Sequence, residues 1–213
     1  MPEAKEFGSG RILFPKDGDA GGTWIALHGN GNVMVLLNGA FERHKHLPPY
    51  RKSRGLVFLD IFDSEKPADK FNQVDLEDIE PFTLVIWQQG ELWETRWDGK
   101  NKFVFPKPNN VPQMWCSVTL YDPIVITKRK EWFTKWLDDK QYISAEETRH
   151  FHEFAGDGDE RNDLRMNRDG KLLTVSITGI EIRGNKAVMH YKDLTGGLMS
   201  INEWYFNKDQ HTV

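Results

Sequence analysis

With one cysteine, Cys116, in 213 residues, the chain has no disulfide framework, and a reducing compartment is the expectation, the cytoplasm by default. No apolar run reaches the roughly 18 residues that a membrane helix requires. The first ten residues are polar and glycine-rich, without the apolar stretch of a secretory signal. Charge of either sign is hardly in excess: 28 Lys and Arg stand against 32 Asp and Glu, a net charge of −4 that argues against nucleic acid as a generic partner. Repeats and convincing linkers are also missing, so residues 1–213 are expected to form one domain with one sizeable core.

What is present concentrates between Asp17 and Gly55. Gly21 and Gly22 suit a sharp turn into a strand over Thr23 to Leu27, because glycine takes backbone angles that a side chain forbids. A second strand, Val33 to Leu37, follows His28-Gly29-Asn30-Gly31, and Asn30-Gly31 predicts a tight primed hairpin turn with positive φ at both positions. The second strand is apolar throughout, which predicts burial on both faces. It delivers Asn38 to the sheet end, where the amide either caps the turn before Gly39 or holds a carbonyl oxygen; spacing alone favours the cap. Ser53 fits as N-cap of a helix through Leu56, Val57, Leu59 and Ile61, with Arg54 in its first turn.

Farther along, Asp69 to Val74 predicts a short helix. Phe82 to Gln88, Leu92 to Trp97 and Lys102 to Phe105 alternate with turn dipeptides, as in an antiparallel meander. Residues 106–112 hold three prolines and are expected to loop. Met114 to Leu120 is predicted to be a strand. Ile124 to Leu137 places Trp132, Phe133, Trp136 and Leu137 on one helical stripe. Ser144 with Glu147 forms a capping box for a further helix. Residues 156–170 are charged and are expected to form a mobile loop or lid, with Asn167-Arg168-Asp169-Gly170 a polar turn. Strands are expected near Leu172 to Ile182, Ala187 to Tyr191 and Leu198 to Phe206.

Gly21-Gly22-Thr23-Trp24, Leu37-Asn38 and Ser53-Arg54-Gly55, in that order and at that separation, resemble the NRDE family, also called the Transport and Golgi organisation protein 2 family. Weaker agreement continues through Glu80-Pro81-Phe82-Thr83-Leu84, Trp115 to Asp122, the helix with Trp132 and Trp136, and Thr174-Val175-Ser176-Ile177. The resemblance implies an α+β fold, the N-terminal nucleophile hydrolase-like αββα sandwich of two antiparallel sheets between helical layers. It implies ligand contacts at Thr23, Trp24, Asn38 and Arg54, with Asn38 as the oxyanion residue. In the family scheme an N-terminal Cys attacks a carbonyl and an Asn-Arg-Asp-Glu motif supports it. This chain opens Met1-Pro2-Glu3-Ala4 and has no such motif before Gly21, so an N-terminal truncation by one or two strands is expected. Exposed sheet edges would then favour a homo-oligomer. Where family members carry a Ser-Asn pair, Cys116-Ser117-Val118-Thr119 puts an apolar Val in place of a second oxyanion donor. Two functions follow: a non-catalytic ligand-binding or trafficking protein, for which the resemblance implies haem, lipid-like or amide ligands, or the inactive remainder of an amide hydrolase. No cofactor or metal is expected.

Other clusters have simpler roles. Cys116 is expected to be a small buried hydrophobe rather than a nucleophile. His44 and His46, or His150 and His152, lack Cys or carboxylate partners at zinc-ligand spacing. Asp157 to Asp163 has oxygen density without the pattern of a calcium loop. The basic segment from His44 to Arg54 suits a phosphate or carboxylate, with a solvated loop as the simpler reading. Trp24, Trp115 and Trp136 are expected in the core, although a Trp-lined groove is worth seeking.

Overall fold

The computed structural model describes residues 1–18, 21–138 and 140–206. Seven strands form one antiparallel sheet in chain order: β1 (Pro2–Phe7), β2 (Gly10–Pro15), β3 (Ile25–His28), β4 (Val33–Asn38), β5 (Phe82–Gln88), β6 (Glu91–Trp97) and β7 (Lys102–Lys107). Each strand pairs with its sequence neighbour, so two helices leave between β4 and β5 without disturbing the order.

These are α1 (Arg54–Phe62) and α2 (Pro67–Gln73). The Ser53 hydroxyl accepts from the Leu56 N–H at 3.3 Å, as an N-cap should. Val57, Phe58, Ile61 and Phe62 form the buried stripe of α1. Pro67 starts α2, where its missing N–H costs nothing. Both helices cover one face of the large sheet, against Ile12, Phe14, Ala26, Met34, Leu84 and Ile86.

The opposite face meets a small antiparallel sheet of β10 (Ser176–Arg183), β11 (Lys186–Asp193) and β12 (Met199–Tyr205). Leu13 and Leu27 pack there on Ala187 and Met189. The helices α3 (Pro123–Asp138) and α4 (Ala145–Phe154) stack Phe133 and Trp136 on Phe151, and α4 lies against β10, where Arg149 meets Gly179. Ser144 and Glu147 make the expected capping box. Two antiparallel sheets with helices on both sides satisfy the α+β sandwich expectation.

Local departures have physical reasons. Two strands, β1 and β2, precede Gly21 although the opening residues carry no strand pattern; their long hairpin register supplies the regularity. The β3–β4 connection is not a primed turn. Only Gly31 has positive φ (89°), while the His28 carbonyl accepts from the Gly31 N–H and the His28 N–H donates to the Asn32 carbonyl, both at 2.9 Å. That is a longer hairpin connection with glycine at the left-handed position. Residues 114–120 form no strand: the Ser117 hydroxyl and the Val118 and Thr119 methyls pack on the end of β4 instead. Pro106 and Lys107 remain in β7, an edge strand, where proline is tolerated.

The expected strand over Leu172 to Ile182 is broken. A short hairpin of β8 (Asn167–Arg168) and β9 (Leu172–Leu173) ends where Thr174 exchanges bonds with Met166, its N–H donating to the Met166 carbonyl (2.9 Å) and its hydroxyl accepting from the Met166 N–H (3.0 Å). Asp169 and Gly170 supply the turn, with φ of 57° and 69°. The 156–170 segment is tied rather than loose: buried Arg129 donates to the carbonyls of Asn162 (3.1 Å) and Asp163 (2.6 Å).

Edges differ in protection. β1 carries Pro2, Glu3, Lys5 and Glu6, and β7 carries Lys102, Pro106 and Lys107, whereas β12 turns Met199, Ile201 and Tyr205 to solvent. Among the described residues no helix is long and apolar enough to cross a membrane.

Candidate functional site

Alternation along β4 puts Met34, Leu36 and Asn38 on the face of α1, and Val33, Val35 and Leu37 on the face of the small sheet. The polar site lies on the first of these faces. It is a pocket of about 570 Å³, lined by Trp24, Leu36, Asn38, Tyr50, Arg54 and Glu80, with Asp17, Thr23 and Lys52 at its margins.

Its walls meet through glycine. Gly22 and Gly55 touch by backbone, and a Cβ on Gly22 would stand 2.4 Å from the Gly55 carbonyl carbon. The need is closeness: Gly21, with φ of 69°, uses the conformational freedom, and Gly22 uses the small size. Thr23, only 2% exposed, donates its hydroxyl to the Pro15 carbonyl at 2.7 Å. It therefore braces the pocket instead of presenting a polar group to it.

Asn38 does not cap its turn. Among the described residues its side-chain amide has no hydrogen-bond partner, while its backbone N–H donates to the Ser117 hydroxyl at 3.2 Å. Val118 packs on Gly39, so the next position along the pocket edge is filled by methyl groups that cannot donate to an oxyanion.

Glu80 organises the opposite wall. Its carboxylate pairs with Arg54 (3.2 Å), His44 (3.1 Å) and His46 (3.2 Å). Burial raises the Glu80 carboxyl, but the His44 hydrogen bond and the Arg54 charge outweigh it and hold the group below the ordinary carboxylate range. Burial pulls Arg54 down from its usual value, against the opposing charge of Glu80. Lys52 is paired with Asp60. The two histidines thus have a carboxylate partner 34 and 36 residues away, which sequence spacing does not reveal. The available signal was the strand pairing itself: Asn38 sits opposite Phe82, which leaves Glu80 just beyond the strand end beside Arg54.

The other sequence candidates fall elsewhere. Cys116 lies in a loop, and burial pushes its thiol up despite Arg129, so it stays protonated and a poor nucleophile. No group of three or more His, Cys, Asp or Glu among the described residues has metal-binding geometry. Lys128 on α3 pairs with Asp157, and Arg161 with Asp169 (2.7 Å), so two of the loop's carboxylates are already held by cations. Trp24 lines the polar pocket, and Trp115 and Trp136 line a second cavity; the tryptophan in the core is Trp97.

Ser9 and His28 have the separation of a nucleophile and its base, 3.0 Å from hydroxyl to Nε2. The proton is on the wrong nitrogen for that chemistry. Nδ1 accepts from the Asn30 N–H at 3.2 Å, so Nε2 carries the hydrogen and donates to Ser9, whose hydroxyl turns to Asp63. Burial lowers the His28 pKa more than Asn30, Asp63 and Glu65 lift it. His152, beside Arg129, and His190, between Arg149 and Glu181, are lowered by burial too.

A depressed imidazole is neutral in the folded state while the unfolded chain still takes up protons near pH 6.5, so the stabilisation is full above about pH 6.5 and is lost as pH falls below it. Thermal melts are expected to hold from pH 8 to 7 and to drop between about pH 6.5 and 5, before the carboxylates titrate. A flat profile over that interval would contradict the neutral His28 assignment.

Two variants of the conjugated bile acid hydrolase from Clostridium perfringens share this fold, each with a TM-score of 0.52, at 11% and 12% identity, covering 93% of this chain and 82% of that one. The architecture is that of the N-terminal nucleophile hydrolases. No curated protein matches the chain. The family model described as Transport and Golgi organisation 2 matches residues 3–169, and the chain belongs to that family.

Proposed function

We propose that the chain is a non-catalytic small-molecule-binding protein whose ligand carries both a carbonyl and a carboxylate, held in the pocket of Trp24, Asn38 and Arg54. The observation that supports this is the Asn38 amide, without a partner among the described residues, facing the same pocket as the Arg54 guanidinium. An amide donor takes the carbonyl oxygen, the guanidinium takes the carboxylate in exchange for part of its Glu80 contact, and the Trp24 ring supplies apolar area. Ser53 and Thr23 are spent on helix capping and bracing, which leaves no activated hydroxyl in the lining. Haem does not fit these donors. Among the described residues the lining has no His, Cys or Met, and the Tyr50 hydroxyl already accepts from the Leu47 N–H at 2.8 Å.

A second reading is an amide hydrolase whose complete form supplies an N-terminal Cys, with this chain its inactive remainder. The sandwich fold and Asn38 at a strand end favour it, since Asn38 would then hold the oxyanion.

N-hexanoylglycine, which has both functional groups, distinguishes the readings. Calorimetry is expected to show saturable binding that weakens about tenfold in N38A, the loss of one hydrogen bond, and by more in R54M, the loss of a charge-assisted contact. Release of free glycine by a form that carries the N-terminal Cys, with none from this chain, would favour the hydrolase. Absence of heat, or equal affinity in both variants, would remove the pocket from consideration.

A further inference from the structure

The opposite face of β4 borders a second cavity. Val35, Leu37 and Val85 form its floor, and Trp115, Trp136 and Phe151 its walls, around a volume of about 440 Å³. Among the described residues no formally charged side chain lines it; its polar side chains are Gln113, Thr148 and His152, beside the indoles of Trp115 and Trp136. An adjoining cavity of about 500 Å³ shares Ile143, Thr148 and His152 with it and continues along β10, where Arg149 and Glu181 bring charge to its lining.

Two features mark this space as more than loose packing. The walls are fixed: Trp136 lies on Phe151 with ring centroids 4.8 Å apart, and the Trp115 indole N–H donates to the buried Glu94 carboxylate at 2.6 Å. Polar groups are also left over. The His152 ring makes no hydrogen bond among the described residues, and Thr178, which lines the adjoining cavity, has its hydroxyl oxygen buried without a partner. A buried hydroxyl left without a partner, as at Thr178, is uncommon in folded proteins and calls for an occupant.

We propose that the inner cavity binds an uncharged, ring-bearing small molecule that seats its ring among Trp115, Trp136 and Phe151 and presents a hydroxyl or amine to His152. Rigid aromatic faces suit a flat ring better than a flexible chain, which would lose more conformational freedom on entry. The absence of charge on the wall excludes an anion or cation from the inner cavity, where nothing would repay its desolvation. Burial and the neighbouring Arg129 keep His152 neutral, so one ring nitrogen accepts. This site lies on the other side of the sheet from the Asn38 pocket and stands independently of the function proposed there.

The probe is N-phenyl-1-naphthylamine, which is uncharged and brightens in apolar surroundings, titrated into the full chain. The expected result is a saturable 1:1 rise with energy transfer from tryptophan. Val85→Phe fills the floor and is expected to weaken binding at least about tenfold while the melting profile stays cooperative. Thr148→Trp, on the rim shared by both cavities, gives the same test from the helix side should V85F not fold. A non-saturating rise, or wild-type affinity in the folded filled variant, overturns the proposal. In competition, 1-naphthol is expected to displace the probe at lower concentration than naphthalene, and His152→Phe to erase that difference. A preference that persists in H152F overturns the His152 contact.

Discussion

Gly22→Ala is expected to destabilise the protein by about 3 kcal/mol or more and to abolish ligand binding in the polar pocket. The added methyl would lie 2.4 Å from the Gly55 carbonyl carbon, 2.7 Å from its Cα and 2.8 Å from its oxygen. Those atoms are backbone and cannot rotate away, so α1 must move off the sheet or the segment before β3 must bend. Either movement breaks the Thr23 N–H bond to the Gly55 carbonyl (3.4 Å) and shifts Arg54 relative to Asn38. The neighbouring variants give a graded series. Gly55→Ala meets Thr23 and Gly22 atoms at 3.0 to 3.2 Å and should cost less, and Gly21→Ala meets nothing within 4 Å and should cost only about 1 kcal/mol for its positive φ. Urea denaturation of the three proteins measures the order. If G22A unfolded at the wild-type midpoint, the close backbone contact would be wrong.

Glu94→Ala is expected to cost about 3 kcal/mol, because it breaks one buried carboxylate away from three partners. Glu94 is 4% exposed and accepts from Arg96 Nε at 2.8 Å and Trp115 Nε1 at 2.6 Å, with Lys107 at 3.3 Å. Burial raises its pKa, but the bonds from Arg96 and Trp115 outweigh that and hold it below the ordinary range. Its contribution is therefore complete above about pH 4.5 and disappears as pH falls below that value. In the variant the Arg96 charge and the indole N–H lose their acceptor, and the 112–115 segment loses its anchor to β6. Lys107→Ala, removing the most exposed partner, should cost less than about 1 kcal/mol. Denaturation read by tryptophan emission checks both; equal, small effects would show that Glu94 is solvated rather than a buried hub.

The sequence expressed its folding instructions best where one element suffices. The Ser53 cap, the capping box of Ser144 and Glu147, and the alternation of β5 and β6 depend on neighbours within four residues, and each forms as read. The family motif brought together Trp24, Asn38 and Arg54, which the fold places on one pocket. Long-range partners were not legible. Glu80 matters because β4 pairs with β5 in a particular register, and no local pattern announces that Glu80 will meet two histidines and Arg54. Met114 to Leu120 has strand composition but pairs with no strand, and its Ser117 and Val118 serve Asn38 and Gly39 instead. Trp115 and Trp136 looked like core residues because aromatic periodicity cannot distinguish a filled interior from a cavity wall.

The two-sided use of β4 makes its length a matter of chemistry as well as shape. Inserting or deleting one residue between Val33 and Asn38 would exchange the two neighbourhoods: leucine and valine would be offered to the arginine side, and the asparagine to the tryptophan side. Substitutions in this ribbon can therefore be absorbed one site at a time, whereas a single-codon indel would erase both sites together.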